Sequence, residues 1–337
     1  MATGNATNQL TLVDLARRQD PNGMVAEIVE LLSARNAMLD DIPWYEANEQ
    51  TSHLVTVRTS LPAGTYRAFN EGVSASKSTT AQYRETLSML EDYSKVDKAL
   101  MNTRGNSAEY RKSEDAAFLE GMAQTQMGTI LYGNTATNSK AFTGIIPRYN
   151  NLTGIENAEQ IVDFAGTGGD NASILLVGWG EKTVHGLYPK GAKSGLNAED
   201  LGEDTLIDAA GNEYQGFRTH FKWDAGIAIE DWRYISRGAN IDISDLANAG
   251  KSGYSGADLI NGMIDMMSLL PSLEGIGITP VFYSNRRVWA ALHKLALVKA
   301  AAGLTVRELE NGKFVMHFMG VPVRRVDAML NTEARVV

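Results

Sequence analysis

Cysteine is absent from the 337 residues. That excludes disulfides, thiolate metal sites and a cysteine nucleophile, and it suits a chain made in a reducing cytoplasm. No apolar run reaches about 18 residues, so no transmembrane helix and no membrane partner are expected. The start, Met1-Ala2-Thr3-Gly4-Asn5, has neither the basic nor the apolar region of a secretory signal. Positive charge is scarce: 31 Lys and Arg stand against 40 Asp and Glu, a formal net charge of -9. Bulk electrostatic attraction to a phosphate backbone, which depends on Lys and Arg displacing counterions, is therefore not expected.

Reactive motifs are also missing. Gly186-x-x-x-x-Gly191-Ala192-Lys193-Ser194 approaches a phosphate loop, but Ala192 separates the second glycine from the lysine, so backbone cradle and ammonium cannot meet the same phosphates. Gly166-Thr167-Gly168-Gly169-Asp170 has the glycines of a dinucleotide fingerprint without its spacing. The five histidines, His53, His185, His220, His293 and His317, are scattered, with no i, i+4 pair of the kind a zinc helix uses. The acidic pairs Asp40-Asp41, Glu199-Asp200, Glu203-Asp204 and Glu230-Asp231 are adjacent residues, whose side chains point to opposite faces of a strand. No Gly-x-Ser-x-Gly elbow occurs. The basic pairs Arg286-Arg287 and Arg324-Arg325 read as subunit contacts or a solvated face rather than a DNA surface. No catalytic, cofactor-binding or metal-ligating residue is assigned, and no cofactor is expected; the chain is not read as an enzyme.

What is present is a globular composition, 44% hydrophobic and 21% charged. Residues 1–22 read as a polar arm, and Val25, Ile28, Val29 and Leu32 as a short helix. His53-Leu54-Val55-Thr56-Val57-Arg58 reads as a strand, Leu61-Pro62-Ala63-Gly64 as a turn and Thr65-Tyr66-Arg67-Ala68-Phe69 as its return. Residues 72–80 are almost all small and polar and cannot order themselves. The segment 82–100 suits either a strand feeding a helix or one long strand. Asn106-x-x-Glu109 then resembles a capping box and opens a helix over 106–131, about 39 Å long. Its apolar stripe is Ala116, Leu119, Ala123, Met127 and Ile130, flanked by Phe118 and Met122. A polar glycine loop follows, Tyr132-Gly133-Asn134-Thr135-Ala136-Thr137-Asn138, and then Phe142-Thr143-Gly144-Ile145-Ile146-Pro147. This long rod ends in a loop with no reactive group.

Residues 152–248 read as β-rich, with strands over 173–179, 183–189, 216–223 and 226–229. Residues 257–270 read as a helix stopped by Pro271, and 279–283 as a strand. Ser284-Asn285 cap a helix through Val288, Trp289, Leu292, Leu295 and Ala296. Asn311-Gly312 turns a hairpin between 306–310 and 313–318, and Val321-Pro322-Val323 begins a final strand.

This order of elements resembles the major capsid proteins of tailed double-stranded-DNA bacteriophages, the Hong Kong-97-type capsid fold. Ser52 to Thr80 looks like the projecting E-loop, Asn106 to Leu131 like the spine helix, and Gly256 to Val326 like the axial domain. Val281-Phe282-Tyr283-Ser284-Asn285-Arg286-Arg287-Val288-Trp289 resembles that domain's strand-to-helix turn, and Phe318-Met319-Gly320-Val321-Pro322-Val323 its return strand. Val177-Gly178-Trp179-Gly180-Glu181-Lys182-Thr183-Val184-His185-Gly186-Leu187-Tyr188-Pro189-Lys190-Gly191 is similar to capsid proteins of short-tailed phages of the epsilon-fifteen type.

The resemblance implies an α+β fold divided into an N-terminal arm and short helix (1–48), E-loop hairpin (49–81), peripheral domain with spine helix (82–151), β-rich insertion (152–250) and axial domain (251–337). It implies self-assembly into hexamers and pentamers of an icosahedral head in the virion, formed in the bacterial host cytoplasm. The shell would enclose double-stranded DNA without sequence-specific binding; an acidic wall repels it weakly, screened within about 10 Å at ordinary salt. About 20 residues precede the first helix, so a separate scaffolding protein is implied, with a portal protein at one vertex and room for a decoration or cement protein. Lys77 is the hairpin's single lysine, but no catalytic glutamate or acceptor asparagine of a self-cross-linking shell is matched. An encapsulin-like nanocompartment and a soluble α/β enzyme are the alternative readings.

Overall fold

The computed structural model describes residues 36–102, 107–208, 210–249, 258–273, 275, 277–296, 304–308 and 314–337. The arm, the helix read over 25–32, the Asn106 cap and the Asn311-Gly312 turn lie outside the described residues. In chain order, α1 (Met38–Asp41), β1 (Trp44–Glu46), β2 (Ser52–Ser60), β3 (Thr79–Thr86) and β4 (Ser88–Asp97) come first. Then follow α2 (Lys98–Asn102), α3 (Ser107–Tyr132), β5 (Ile161–Asp163), β6 (Asn171–Trp179), β7 (Val184–Tyr188), β8 (Asn197–Ile207), β9 (Glu213–Ile229) and β10 (Ile235–Asp242). The chain ends with α4 (Leu259–Leu269), β11 (Thr279–Ser284), α5 (Arg286–Ala296), β12 (Leu304–Glu308), β13 (Phe314–Phe318) and β14 (Val321–Arg325).

Contacts divide these elements into two units. The larger comprises Asn36–Ser88, Thr129–Ser194 and Ala225–Val337. At its centre lies β6, whose nine residues are all buried. The continuous run Ile174-Leu175-Leu176-Val177 suits a strand covered on both faces. It pairs antiparallel with β10 on one side and β11 on the other. Beyond β11 come β14, parallel, and then β13 and β12, antiparallel. Leu259, Met263 and Met266 of α4 and Val288 and Leu292 of α5 pack into one core with Ile174, Leu176, Phe282 and Phe318. Both helices start on side-chain caps: Asp258 accepts the Asn261 N–H at 3.2 Å and Asn285 the Val288 N–H at 2.8 Å. The β13–β14 turn is Met319-Gly320, with φ of 47° and 92°. Two successive positive φ values are what a two-residue hairpin loop needs to match strand twist.

The smaller described unit comprises Met89–Gly128 and Gly195–Asp224. There β8 pairs antiparallel with β9. Phe118 of the helix stacks on Phe221 at 5.5 Å. Most of β8 is exposed, and its carboxylates meet cations within the unit: Asp200 with Arg111 at 2.6 Å, Asp204 with Arg218 at 2.9 Å, and Glu203 with Lys98.

Three expectations change. The hairpin is deeper than the sequence indicates: β2 returns through β3, not 65–69, and residues 61–77 are exposed between them. Residues 82–100 become parts of two strands and a short helix, with the break at Leu87, whose N–H reaches the Thr51 carbonyl at 3.0 Å. In α3 the C-terminal half of the expected stripe holds, with Met127 and Ile130 buried, but its N-terminal half does not: Ala116 and Leu119 are exposed, Ala123 is half-buried, and Met122 and Gln126 are buried instead.

Gly320→Val places a β-branched residue at φ 92° and is expected to destabilise the protein by about 1–2 kcal/mol. Urea unfolding checks this; an unchanged midpoint would show that the turn relaxes freely.

Candidate functional site

Within the larger unit, the root of the projecting hairpin is fastened at several points. Asn48 bridges to β2, its side chain donating to the Leu54 carbonyl and accepting the Leu54 N–H at 2.9 and 2.8 Å. From β3, Tyr83 donates its hydroxyl to the Ile229 carbonyl at 2.5 Å. Burial, then the charge of Glu85, pushes the Tyr83 pKa up to about 12, so it stays a donor at any ordinary pH. Glu85, buried on β3, takes two bonds from Arg148, both 2.6 Å. Burial alone would lower the Arg148 pKa; the bonds and charge of Glu85 outweigh it and hold the guanidinium above its ordinary value. The same guanidinium donates to the carbonyls of Gly144 and Thr143. The hairpin is thus tied to the loop that follows α3.

That loop closes on the end of the helix. Gly133 N–H caps Thr129, Gly144 N–H returns to Gly133, and Ile145 N–H reaches Ile130, at 2.8–2.9 Å. A Cβ on Gly144 would lie 2.6 Å from the Thr129 and Ile130 carbonyl oxygens, so glycine is required by close approach.

Beyond the root, the hairpin presents apolar side chains to solvent: Leu61, Tyr66, Phe69 and Val73 are 76%, 105%, 97% and 50% exposed. Such a group on one strap marks an interaction surface.

A second junction is buried in the same unit. Arg237 on β10 donates to Glu333 at 2.8 Å, to the Tyr149 carbonyl at 2.6 Å and to Ser173 on β6 at 3.0 Å. Glu333 also accepts from Ser173 and, at 2.6 Å, from the Tyr132 hydroxyl at the end of α3. Burial first, and then the Glu333 charge, pushes the Tyr132 pKa far up. The terminal segment is held further by Asn240, which exchanges two bonds with Val336, and by Val337, whose carbonyl accepts from Leu152.

The near-motifs are ordinary turns and strands. Gly186 lies within β7 opposite Trp44, and the Gly191 N–H donates to the Glu46 carboxylate at 2.7 Å. Gly166 bonds to the Asn240 carbonyl. Arg286 and Arg287 are exposed at the start of α5. Arg324 and Arg325, read as subunit contacts or a solvated face, pair inside the chain with Asp41 at 3.0 Å and Asp327 at 2.5 Å. Sequence reasoning singled out neither Arg237 nor Glu333; Glu333 stands in the polar run Asn331-Thr332-Glu333-Ala334-Arg335, which carries no sign of burial. It also did not foresee that His53, His185 and Glu230 converge, their ligand atoms all within 4.8 Å of one another. No helix among the described residues is long and apolar enough to cross a membrane.

A family model described as major capsid protein GP7 matches residues 20–337. The solved structure of bacteriophage epsilon15, from cryo-electron microscopy, is 32% identical, covers 100% of this chain and 99% of its own, and superposes with a TM-score of 0.76. The bacteriophage JBD30 capsid aligns over 90% of this chain and 95% of its own at 9% identity and a TM-score of 0.49. An encapsulin complex from Synechococcus elongatus aligns over 68% of this chain and 96% of its own at 12% identity and a TM-score of 0.45. No curated protein matches.

Arg148→Met leaves the Glu85 carboxylate buried without its partner and is expected to cost about 3–5 kcal/mol. The Arg148→Met/Glu85→Met double variant is expected to recover a large part of that loss. Thermal melting checks both; a single variant as stable as the parent would refute the tie. Glu333→Ala likewise strands Arg237 and is expected to lower the melting midpoint by several degrees.

Proposed function

The chain belongs to the major capsid protein GP7 family, and from that membership we propose that it assembles as hexamers and pentamers into the icosahedral head of a phage. It is a structural protein of the virion capsid, α+β, with the Hong Kong-97-type capsid fold. The observation that carries the reading is the match of 32% identity and TM-score 0.76 over essentially both whole chains to the epsilon15 structure.

The proposed mechanism is mechanical. The exposed strap between β2 and β3 lies over a neighbouring subunit, where Leu61, Tyr66 and Phe69 find the burial that they lack in a single chain. The 251–337 region meets its copies at the capsomer centre, with 49–81 as E-loop, 82–151 as peripheral domain and 152–250 as the β-rich insertion. Many copies in one shell multiply weak contacts, so each interface can be modest. Maturation would rotate subunits as rigid bodies, with bending at the spine helix and hairpin. A separate scaffolding protein guides assembly in the host cytoplasm, a portal protein occupies one vertex, and a decoration protein has external surface available. Double-stranded DNA is enclosed without sequence-specific contact, in keeping with the net charge of -9. No chemistry is assigned to the subunit.

Replacing residues 61–78 by a short Gly-Ser turn is expected to leave a folded subunit that no longer closes into shells. Negative-stain microscopy of wild type and variant, each expressed with the phage's scaffolding protein, gives the answer. Shells of equal yield from the variant would overturn the strap's role. Particles holding an enzyme rather than DNase-resistant DNA would favour a nanocompartment.

A further inference from the structure

We propose that His53, His185 and Glu230 bind a divalent transition-metal ion, zinc by preference, at the root of the projecting hairpin. The inference does not depend on the shell reading.

Two imidazoles and a carboxylate form a ligand set that zinc accepts, with a fourth position left for water. The three residues come from different elements. His53 lies on β2; His185 on β7 stands opposite Ala228 of β9. Glu230 is two residues beyond Ala228, so it lies diagonally from His185 on the same face. Its backbone is fixed there by the bond from its N–H to the Thr183 carbonyl at 2.8 Å. The two imidazole rings meet edge to face, 6.0 Å apart at 89°. His53 Nε2 lies 3.8 Å from Glu230 Oε1. All three ligand atoms fall within 4.8 Å of one another. Tetrahedral zinc, with bonds of about 2.0–2.1 Å, sets its ligands about 3.4 Å apart. The site therefore has to contract by at most about 1.4 Å along any edge. Glu230, with a side chain 30% exposed, has the freedom to supply that movement.

A bare ion pair explains the cluster less well. His53 and Glu230 at 3.8 Å are too far apart for a hydrogen bond, and their pairing leaves His185 out. His185 is 2% exposed, and its Nδ1 is buried without a partner. A buried polar atom left unsatisfied is costly. Burial first, and then the neighbouring His53, pushes the His185 pKa down to about 4, against a hydrogen bond that the ring donates to the Gly180 backbone. Tyr45 packs edge-on against the His185 ring at 5.1 Å and fixes its plane. One contact opposes binding: the Asn48 N–H approaches His53 Nδ1 at 3.3 Å. Coordination through Nε2 moves the imidazole hydrogen to Nδ1 and gives up that bond, so the site is of moderate affinity. An ion held here would clamp β2 to the strands beneath it, and so set how firmly the hairpin root is anchored.

The test uses the full-length chain, stripped with chelator and titrated with Zn²⁺ by calorimetry and with Co²⁺ by visible absorption. The expected result is one ion per chain and a higher melting midpoint with Zn²⁺. Glu230→Gln keeps side-chain size and His53→Asn keeps a polar group near the place of the ring Nδ1, both at partly accessible positions, and circular dichroism confirms that they fold. Each should weaken binding by about 100-fold or more, the upper end of what losing a mere supporting contact around a metal causes. Each should also abolish the Zn²⁺-dependent melting shift. No saturable binding, or binding unchanged in both folded variants, would overturn the proposal.

Discussion

The buried carboxylate of Glu333 is the constraint on which the larger unit's arrangement depends. A charge removed from water is tolerated only when partners surround it. Here Arg237, Ser173 and Tyr132 supply them from three separate elements. The central strand, its neighbour β10, the end of the long helix and the terminal segment are thereby indexed to one another. An apolar contact at the same place would allow sliding; a carboxylate with directed donors admits one geometry. The glycine clasp at Gly133 and Gly144 extends this registration into the loop after the helix, and Arg148 carries it on to Glu85 at the hairpin root.

Rigidity at the root and exposure beyond it make sense together for a shell subunit. On the proposed reading, in which the strap lies over another chain, it gains little from internal order, because its burial would come from the partner. It gains much from a defined exit direction. The Arg148–Glu85 fork and the Tyr83 bond supply that direction. Fixing the root reduces the conformational freedom that assembly has to remove.

Legibility in the sequence followed how local the determining forces were. The long helix, expected over 106–131, occupies Ser107–Tyr132, since its length and polarity are local properties. Asn285 caps α5 as its sequence position indicates, because a cap acts over three residues. The hairpin's return strand was misplaced because 65–69 carries a β-like pattern while the partner that β2 selects is 79–86. The stripe of α3 is right at Met127 and Ile130 and wrong at Ala116 and Leu119, because in the first turns the alanine row and the Phe118–Met122 row both have helical spacing. Only packing against Phe221 distinguishes them. Arg237 with Glu333 lies 96 residues apart in the chain, and the histidine cluster spans 53 to 230; no spacing rule reaches that far.

The exposed Tyr66 and Phe69 also impose a deadline. A newly made subunit carries an adhesive surface into a crowded cell, where any apolar neighbour will do. Correct encounters must therefore outpace indiscriminate ones. Until another surface covers them, Tyr66 and Phe69 leave a lone chain open to indiscriminate apolar association.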